Sequence, residues 1–388
     1  MQMIKSKWLK PILLVAGLIL LLSQTFSRDT IASNANAKKE NGNGKELVII
    51  DADMGQLNDD AVAMFMLANS SKAEVLGVTT VAGNTWAEEG TAYTLRQLEL
   101  INRQDITVLQ GAGEALMGNR QSTLEAEQKL FGNSEYIGSY SRPRPDSYLE
   151  LGTEPYGGYP KTKPKDVAAV DFIVKQVKKH PNEVTIFALG PATNLALAVK
   201  THPEIVPLVK QVIYMGGAID IPGNTTPAAE FNWWYDPESI KINLRTPFKK
   251  QIVVPNDIAE RVYYTKEIYD RIISKPETPI IKMFKDLHGP RFENDPNRKS
   301  FVWDALTAAI FLEPKIVTKM EERYIDIDTN FGPNYGRSIG YHESRNRDFD
   351  NPEDFPAGTQ KVDILFDIDR EAFWDLYVEL MTKKTNGK

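Results

Sequence analysis

The 388-residue chain is 42% hydrophobic and 25% charged, enough apolar material for a sizeable core and a composition unlike that of a disordered protein. Its net charge of −6 and pI near 5.5, with no basic block in the body of the chain, argue against nucleic acid as a partner and for a small, neutral or weakly charged ligand. Without any cysteine there is no disulfide scaffold and no lipid-modified cysteine, so the fold must stand on its core.

The chain opens with Lys5, Lys7 and Lys10, an apolar run over 12–22 and polar Ser23, Gln24 and Thr25. This layout predicts a secretory signal within residues 1–27 and an exported protein, because the apolar run is short for a membrane span. An uncleaved N-terminal anchor is the alternative and would be the sole membrane attachment. Residues 28–45, rich in Ser, Asn, Lys and Gly, read as a flexible lead-in, and one folded domain is expected over 46–388.

Within that domain apolar runs and amphipathic stretches alternate. Strands are expected over 47–50, 75–80, 107–109, 184–189, 212–215 and 251–254. Helices are expected over 59–69, 87–101, 167–179, 193–200, 266–274, 279–287 and 305–312. Extended segments over 323–328 and 361–367 and a helix over 370–381 close the chain, and a Gly-, Pro- and Tyr-rich stretch over 131–164 has no period. Such alternation predicts an α/β fold with a mainly parallel central sheet flanked by helices.

The first strand runs into Asp51, Asp53, Asn58, Asp59 and Asp60. Four carboxylates at a strand's C-terminal end repel one another unless a cation or a hydrogen-bonded ligand compensates them. Asp59 and Asp60 open the next helix, whose positive end favours negative charge. Further polar segments follow at expected strand ends: Asn84 after Val81-Ala-Gly, Ala188-Leu-Gly-Pro-Ala-Thr-Asn194, Met215-Gly-Gly217, Gly223-Asn224, Ala229-Glu-Phe-Asn232 with Asp236-Pro-Glu238, and Trp303-Asp304.

In order and spacing these segments resemble the nucleoside hydrolase family, the inosine-uridine-preferring type and its purine-specific relatives. The resemblance implies a Rossmann-like fold with its active site at the C-terminal ends of the strands, hydrolysis of a ribonucleoside N-glycosidic bond, and one bound Ca²⁺. It implies Asp53, Asp60, the Leu189 carbonyl and Asp304 as metal ligands, oxygen donors suited to a hard cation. Asp53 would also deprotonate the attacking water, and Asp59, Asn84, Met215, Asn224, Glu230 and Asn232 would hold the ribonucleoside. Homodimers or homotetramers are common in the family.

Two departures matter. The family pattern Asp-x-Asp-x-Gly-x-Asp-Asp is lengthened here by two residues, with Gln56-Leu57-Asn58 between Gly55 and Asp59. Outward bulging would let the carboxylates converge; otherwise Gln56 or Asn58 could replace a ligand oxygen. Trp303 stands where pyrimidine-tolerant members place a histidine acid, which resembles the purine-specific branch and its indole-stacked base. Trp86 and the Trp233-Trp234-Tyr235 run are candidates for the opposite wall, and His288 is an alternative acid.

Three other readings compete. An aspartate-nucleophile phosphohydrolase shares the strand ending in Asp-x-Asp but leaves the Glu230–Asn232 and Trp303–Asp304 segments unexplained. A calcium-dependent nucleoside-binding protein without catalysis would keep the same ligands. An EF-hand fails because Val62 stands where its bidentate glutamate belongs.

Overall fold

Residues 47–50 are apolar on both sides of the chain, the pattern of a strand buried on two faces. In the computed structural model, which describes residues 44–132, 134–342 and 351–384, they lie within the central strand β1 (Glu46–Ala52). The expected export segment and the lead-in up to residue 43 fall outside those residues.

The remaining strands are β2 (Ala73–Thr80), β3 (Thr107–Gln110), β4 (Val184–Ala188), β5 (Gln211–Met215), β6 (Gln251–Val254), β7 (Tyr263–Tyr264), β8 (Ser300–Phe301), β9 (Val317–Ile327), β10 (Ser338–Gly340) and β11 (Gln360–Ile368). Among the described residues, nine of the eleven strands form one sheet in the order β10-β9-β11-β6-β5-β4-β1-β2-β3, while β7 and β8 pair separately. From β3 to β11 every pairing is parallel; β9 and β10 add an antiparallel edge. The six strands β3-β2-β1-β4-β5-β6 follow the doubly wound order, in which the chain leaves β1 toward β2 and later returns to β4 on its other side. A crevice opens beyond the strand ends at such a reversal, and here Asp53 and Leu189 directly follow the two strands that flank it.

Helices cover both faces. Asp59–Asn69, Trp303–Leu312 and Arg370–Thr382 pack in one apolar layer, and Ala169–Lys179, Thr193–Thr201 and Pro237–Leu244 in the other. Residues Lys45–Lys388 cohere as one compact unit. Several elements differ from the sequence expectation. The extended segment expected over 323–328 belongs to the longer β9, whose first residues are partly exposed and carry little apolar signal. The helix expected to stop at 287 continues through Gly289 and Pro290 to Asn294, because Phe292 is drawn into the core. Leu124–Phe131 is an additional helix, and the 131–164 stretch holds only the short 3-10 turn Gly138–Ser141 among its described residues.

Asp51 ties this scaffold together from within. Its Oδ1 accepts from Thr79 Oγ1 on β2 (2.6 Å) and from Asn194 Nδ2 on the helix after β4 (2.7 Å), joining the elements on either side of the reversal. Burial raises its pKa to about 6 against the lowering effect of those two bonds. Asp51→Ala should therefore lower stability by about 1–3 kcal/mol, because two buried donors lose an acceptor. The urea midpoint at constant m-value measures this; an unmoved midpoint would show that the tie contributes nothing.

Candidate active site

Asp53 leaves β1 into a slot that only glycines can line. A Cβ on Gly83 would lie 2.1 Å from Asp53 Oδ2, and one on Gly190 would lie 2.7 Å from Oδ1. The Asn84 backbone N–H donates to Oδ2 at 2.6 Å, and Thr85 Oγ1 holds the Met54 carbonyl at 3.0 Å. The lengthened turn then folds inward, with Leu57 at φ 48° and its side chain in the core. Asn58 caps the following helix by accepting from the Ala61 N–H (3.2 Å), so Asp59 and Asp60 fall in its first turn. The insertion thus neither bulges outward nor places Gln56 among the acids.

Packing of helix Asp59–Asn69 on helix Trp303–Leu312 brings two N-terminal turns together. Carboxylate oxygens of Asp59, Asp60 and Asp304 come within 4.8 Å of one another, and Asp53 faces Asp60. Burial, reinforced by the neighbouring carboxylates, raises Asp60 and Asp304 well above the usual range. Burial likewise raises Asp59, and it pushes Asp53 up to about 7 despite the Asn84 hydrogen bond. Oδ1 of Asp53, Asp60 and Asp304 is buried with no donor facing it. Clustered hard oxygens lacking donors are a fit for a divalent cation, and no histidine or cysteine competes for it.

Asp59 and Asp304 line a pocket of about 490 Å³, within the range of small-molecule sites, whereas Asp53, Asp60 and Leu189 are buried and not part of its lining. Its lining includes Asp59, Asn84, Met215, Asn224, Glu230, Asn232, Trp303 and Asp304 from the sequence-derived set. Glu230 caps the short helix Phe231–Tyr235, accepting from Asn232 N (2.8 Å), Trp233 N (3.1 Å) and Gly217 N (2.9 Å), while burial pushes it to about 7. Asn232 Nδ2 donates to the Leu189 carbonyl (2.8 Å) and Met215 carbonyl (3.2 Å), linking the ends of β4 and β5 and leaving Oδ1 without a partner. Asn224 Oδ1 accepts from Phe231 N at 2.9 Å.

Other expectations do not reach the pocket. Trp86 is fully buried, its Nε1 donating to the Arg142 carbonyl (3.1 Å) and its ring edge-on to Tyr140, so it cannot wall a ligand. Trp233, Trp234 and Tyr235 are buried as well. His288 lies inside a helix beside the Tyr264 hydroxyl (3.3 Å), and burial lowers its pKa to about 4. The aromatic lining of the pocket instead includes Tyr136 and Phe231, with ring centroids 4.7 Å apart. Tyr136 donates from its hydroxyl to Asn84 Oδ1 at 2.8 Å. Its setting in the Gly-, Pro- and Tyr-rich stretch without period gave no signal for this place.

Comparison with known proteins agrees with this geometry. The family model for inosine-uridine preferring nucleoside hydrolase matches residues 48–375. The pyrimidine-specific ribonucleoside hydrolase RihA of Salmonella newport is 29% identical over 341 residues, covering 86% of this chain and 97% of the relative. The probable uridine nucleosidase 2 of Arabidopsis thaliana is 34% identical over 230 residues, 59% of this chain and 65% of its own length. Among solved structures, the plant nucleoside hydrolase PpNRh1 superposes with TM-score 0.71 at 26% identity over 87% of this chain and 99% of that one. A purine-preferring ribonucleoside hydrolase from Gardnerella vaginalis, at TM-score 0.65 and 22% identity over 87% of this chain and 98% of that one, shares the fold. The chain belongs to the inosine-uridine preferring nucleoside hydrolase family, hydrolases that act on N-glycosyl compounds.

Proposed function

We propose that this hydrolase is calcium-dependent and cleaves ribonucleosides to free base and ribose, with a preference for purines. The observation that carries the reading is a pocket lined both by Asp59 and Asp304 of the acid cluster and by the indole of Trp303. Asp53, Asp60, Asp304 and the Leu189 carbonyl would hold the cation. Bound there, calcium would neutralise the carboxylates and lower the pKa of water in its shell.

The protein's own groups account for the rest. Asp53, with Oδ2 fixed by Asn84 and Oδ1 free, takes the proton of the attacking water. Asp59, Asn84, Asn224, Glu230 and Asn232 hold the ribose hydroxyls, and the carboxylates place negative charge beside the ring as it becomes cationic. No histidine is among the residues lining this pocket, so assistance to the departing base falls to the aromatic walls. Stacking on an indole is worth about 1–3 kcal/mol per base and favours the larger π-face of a purine. The relatives themselves, a pyrimidine-specific ribonucleoside hydrolase and a probable uridine nucleosidase, point instead to pyrimidines, so base choice is the decisive measurement.

Inosine, guanosine, adenosine, uridine and cytidine should be compared by released base and reducing sugar. The expected result is a purine kcat/KM at least about tenfold above that for uridine, with Trp303→Ala removing about 1–3 kcal/mol of the purine advantage. Faster uridine cleavage would refute the purine preference and leave the hydrolase assignment standing. Asp53→Asn should lower kcat by about 10²–10⁴-fold with the fold intact by circular dichroism.

A pH dependence follows from the same acids. Asp53, Asp60 and Asp304 hold a proton more tightly folded than unfolded, where the carboxyl value is near 3.8. Their contribution to metal-free stability is therefore complete below about pH 4 and is lost as pH rises, for Asp53 through about 7. Calcium binds the ionised form, so the gap in melting temperature between calcium-loaded and chelated protein should widen across that interval. A gap that stays constant with pH would contradict this placement of the cation.

A further inference from the structure

The lengthened acidic turn is held by parts of the fold far from it in sequence. Gln56 Oε1 accepts the backbone N–H of Tyr156, from the aperiodic stretch. The Leu57 N–H donates to Gln97 Oε1 (2.8 Å) while Gln97 Nε2 donates to the Gly55 carbonyl (3.2 Å), so one side-chain amide on helix Ala87–Leu100 closes both ends of the turn. A leucine at positive φ is costly and persists only where the surroundings hold it, as the bonds to Tyr156 and Gln97 do. The result of that enclosure is the placement of Asn58.

Asn58 serves two partners at once. Its Oδ1 accepts from the Ala61 N–H (3.2 Å), and its Nδ2 donates to Asp60 Oδ2 at 2.6 Å. Asp60 Oδ2 is thereby committed, whereas Asp60 Oδ1 is buried without a donor among the carboxylates. We propose that Asn58 is a positioning residue for the cation site: its amide fixes the Asp60 carboxylate so that Oδ1 is the oxygen offered to the metal, and the Gln97 clamp holds Asn58 there. This inference rests on the calcium reading above and concerns residues that the shorter turn of the family pattern lacks.

The test separates the donor from the cap. Asn58→Ser keeps a good helix-capping oxygen but removes the amide that reaches Asp60. Calcium chloride is titrated calorimetrically into the chelator-stripped full chain, wild type and variant, and metal-free melting temperatures and inosine kinetics at saturating calcium are recorded beside it. The expected result is a calcium Kd raised about 10–100-fold, the usual effect of losing a hydrogen-bond partner of a metal ligand. Metal-free melting should be unchanged, and KM should stay near wild type once calcium saturates. An unchanged Kd with lower metal-free stability would reduce Asn58 to a cap, and an unchanged Kd with raised KM would make it a substrate contact; either overturns the proposal. Gln97→Ala provides a second variant, expected to weaken calcium binding in the same direction, and an unaltered Kd there would oppose the clamp. Absence of calcium binding by the wild type would instead defeat the calcium reading itself.

Discussion

Like charges crowded into a dry place constrain the rest of this structure. Asp53, Asp59, Asp60 and Asp304 would not be buried together in an arbitrary fold, since burial drives all four toward protonation and neighbouring carboxylates reinforce it for Asp53, Asp60 and Asp304. What makes the cluster tolerable is the meeting of two helix N-termini, each carrying its acids in the first turn, where unpaired backbone N–H groups and the helix dipole favour negative charge. Helix Asp59–Asn69 must therefore pack on Trp303–Leu312, although the two are separated by most of the chain. The doubly wound sheet supplies the third side, because the strand carrying Asp53 pairs directly with the strand that ends before Leu189.

How much of this could be read from the sequence depends on whether a residue's role is set locally. The central strands were legible because β1, β4 and β5 are short apolar runs buried on both faces, and because polar Gly- and Asn-rich segments mark their ends. The polar segment Asp236-Pro-Glu238 was legible too, and in the structure Asp236 caps helix Pro237–Leu244 by accepting from Ser239 N at 3.1 Å. Trp86 was not. An indole just past Gly83-Asn84 looks available to a ligand, yet Tyr140 and Arg142, more than fifty residues away, come back over it. That same excursion delivers Tyr136 to the pocket, and no period in the sequence reports a loop whose position is fixed by what it covers.

Leu57 shows the same limit inside a motif. Counting residues between Gly55 and Asp59 reveals an insertion but not its direction. An apolar residue could turn outward at little conformational cost or inward at positive φ, and the inward route wins because burial in the main core and the Gln97 amide offset the strain. The clustered carboxylates thus keep their convergence while the turn gains contacts to helix Ala87–Leu100 and to Tyr156.

Trp303, in place of the histidine that the family resemblance implies for pyrimidine-tolerant members, changes the electrostatics of the site as well as its shape. An imidazole beside Asp304 would be held protonated by the surrounding carboxylates and would itself offset part of their charge. An indole carries no proton to give and no positive charge, and its buried N–H is without a protein partner. The burden of compensation then shifts to the helix termini, to the Asn58 amide at Asp60 and to whatever cation the acids bind. The departing base, in turn, meets a flat apolar face where a proton donor would have stood. Under the proposed reading, discrimination among bases would operate through the area and polarisability of the ring, compared against the pocket-lining rings of Trp303, Tyr136 and Phe231.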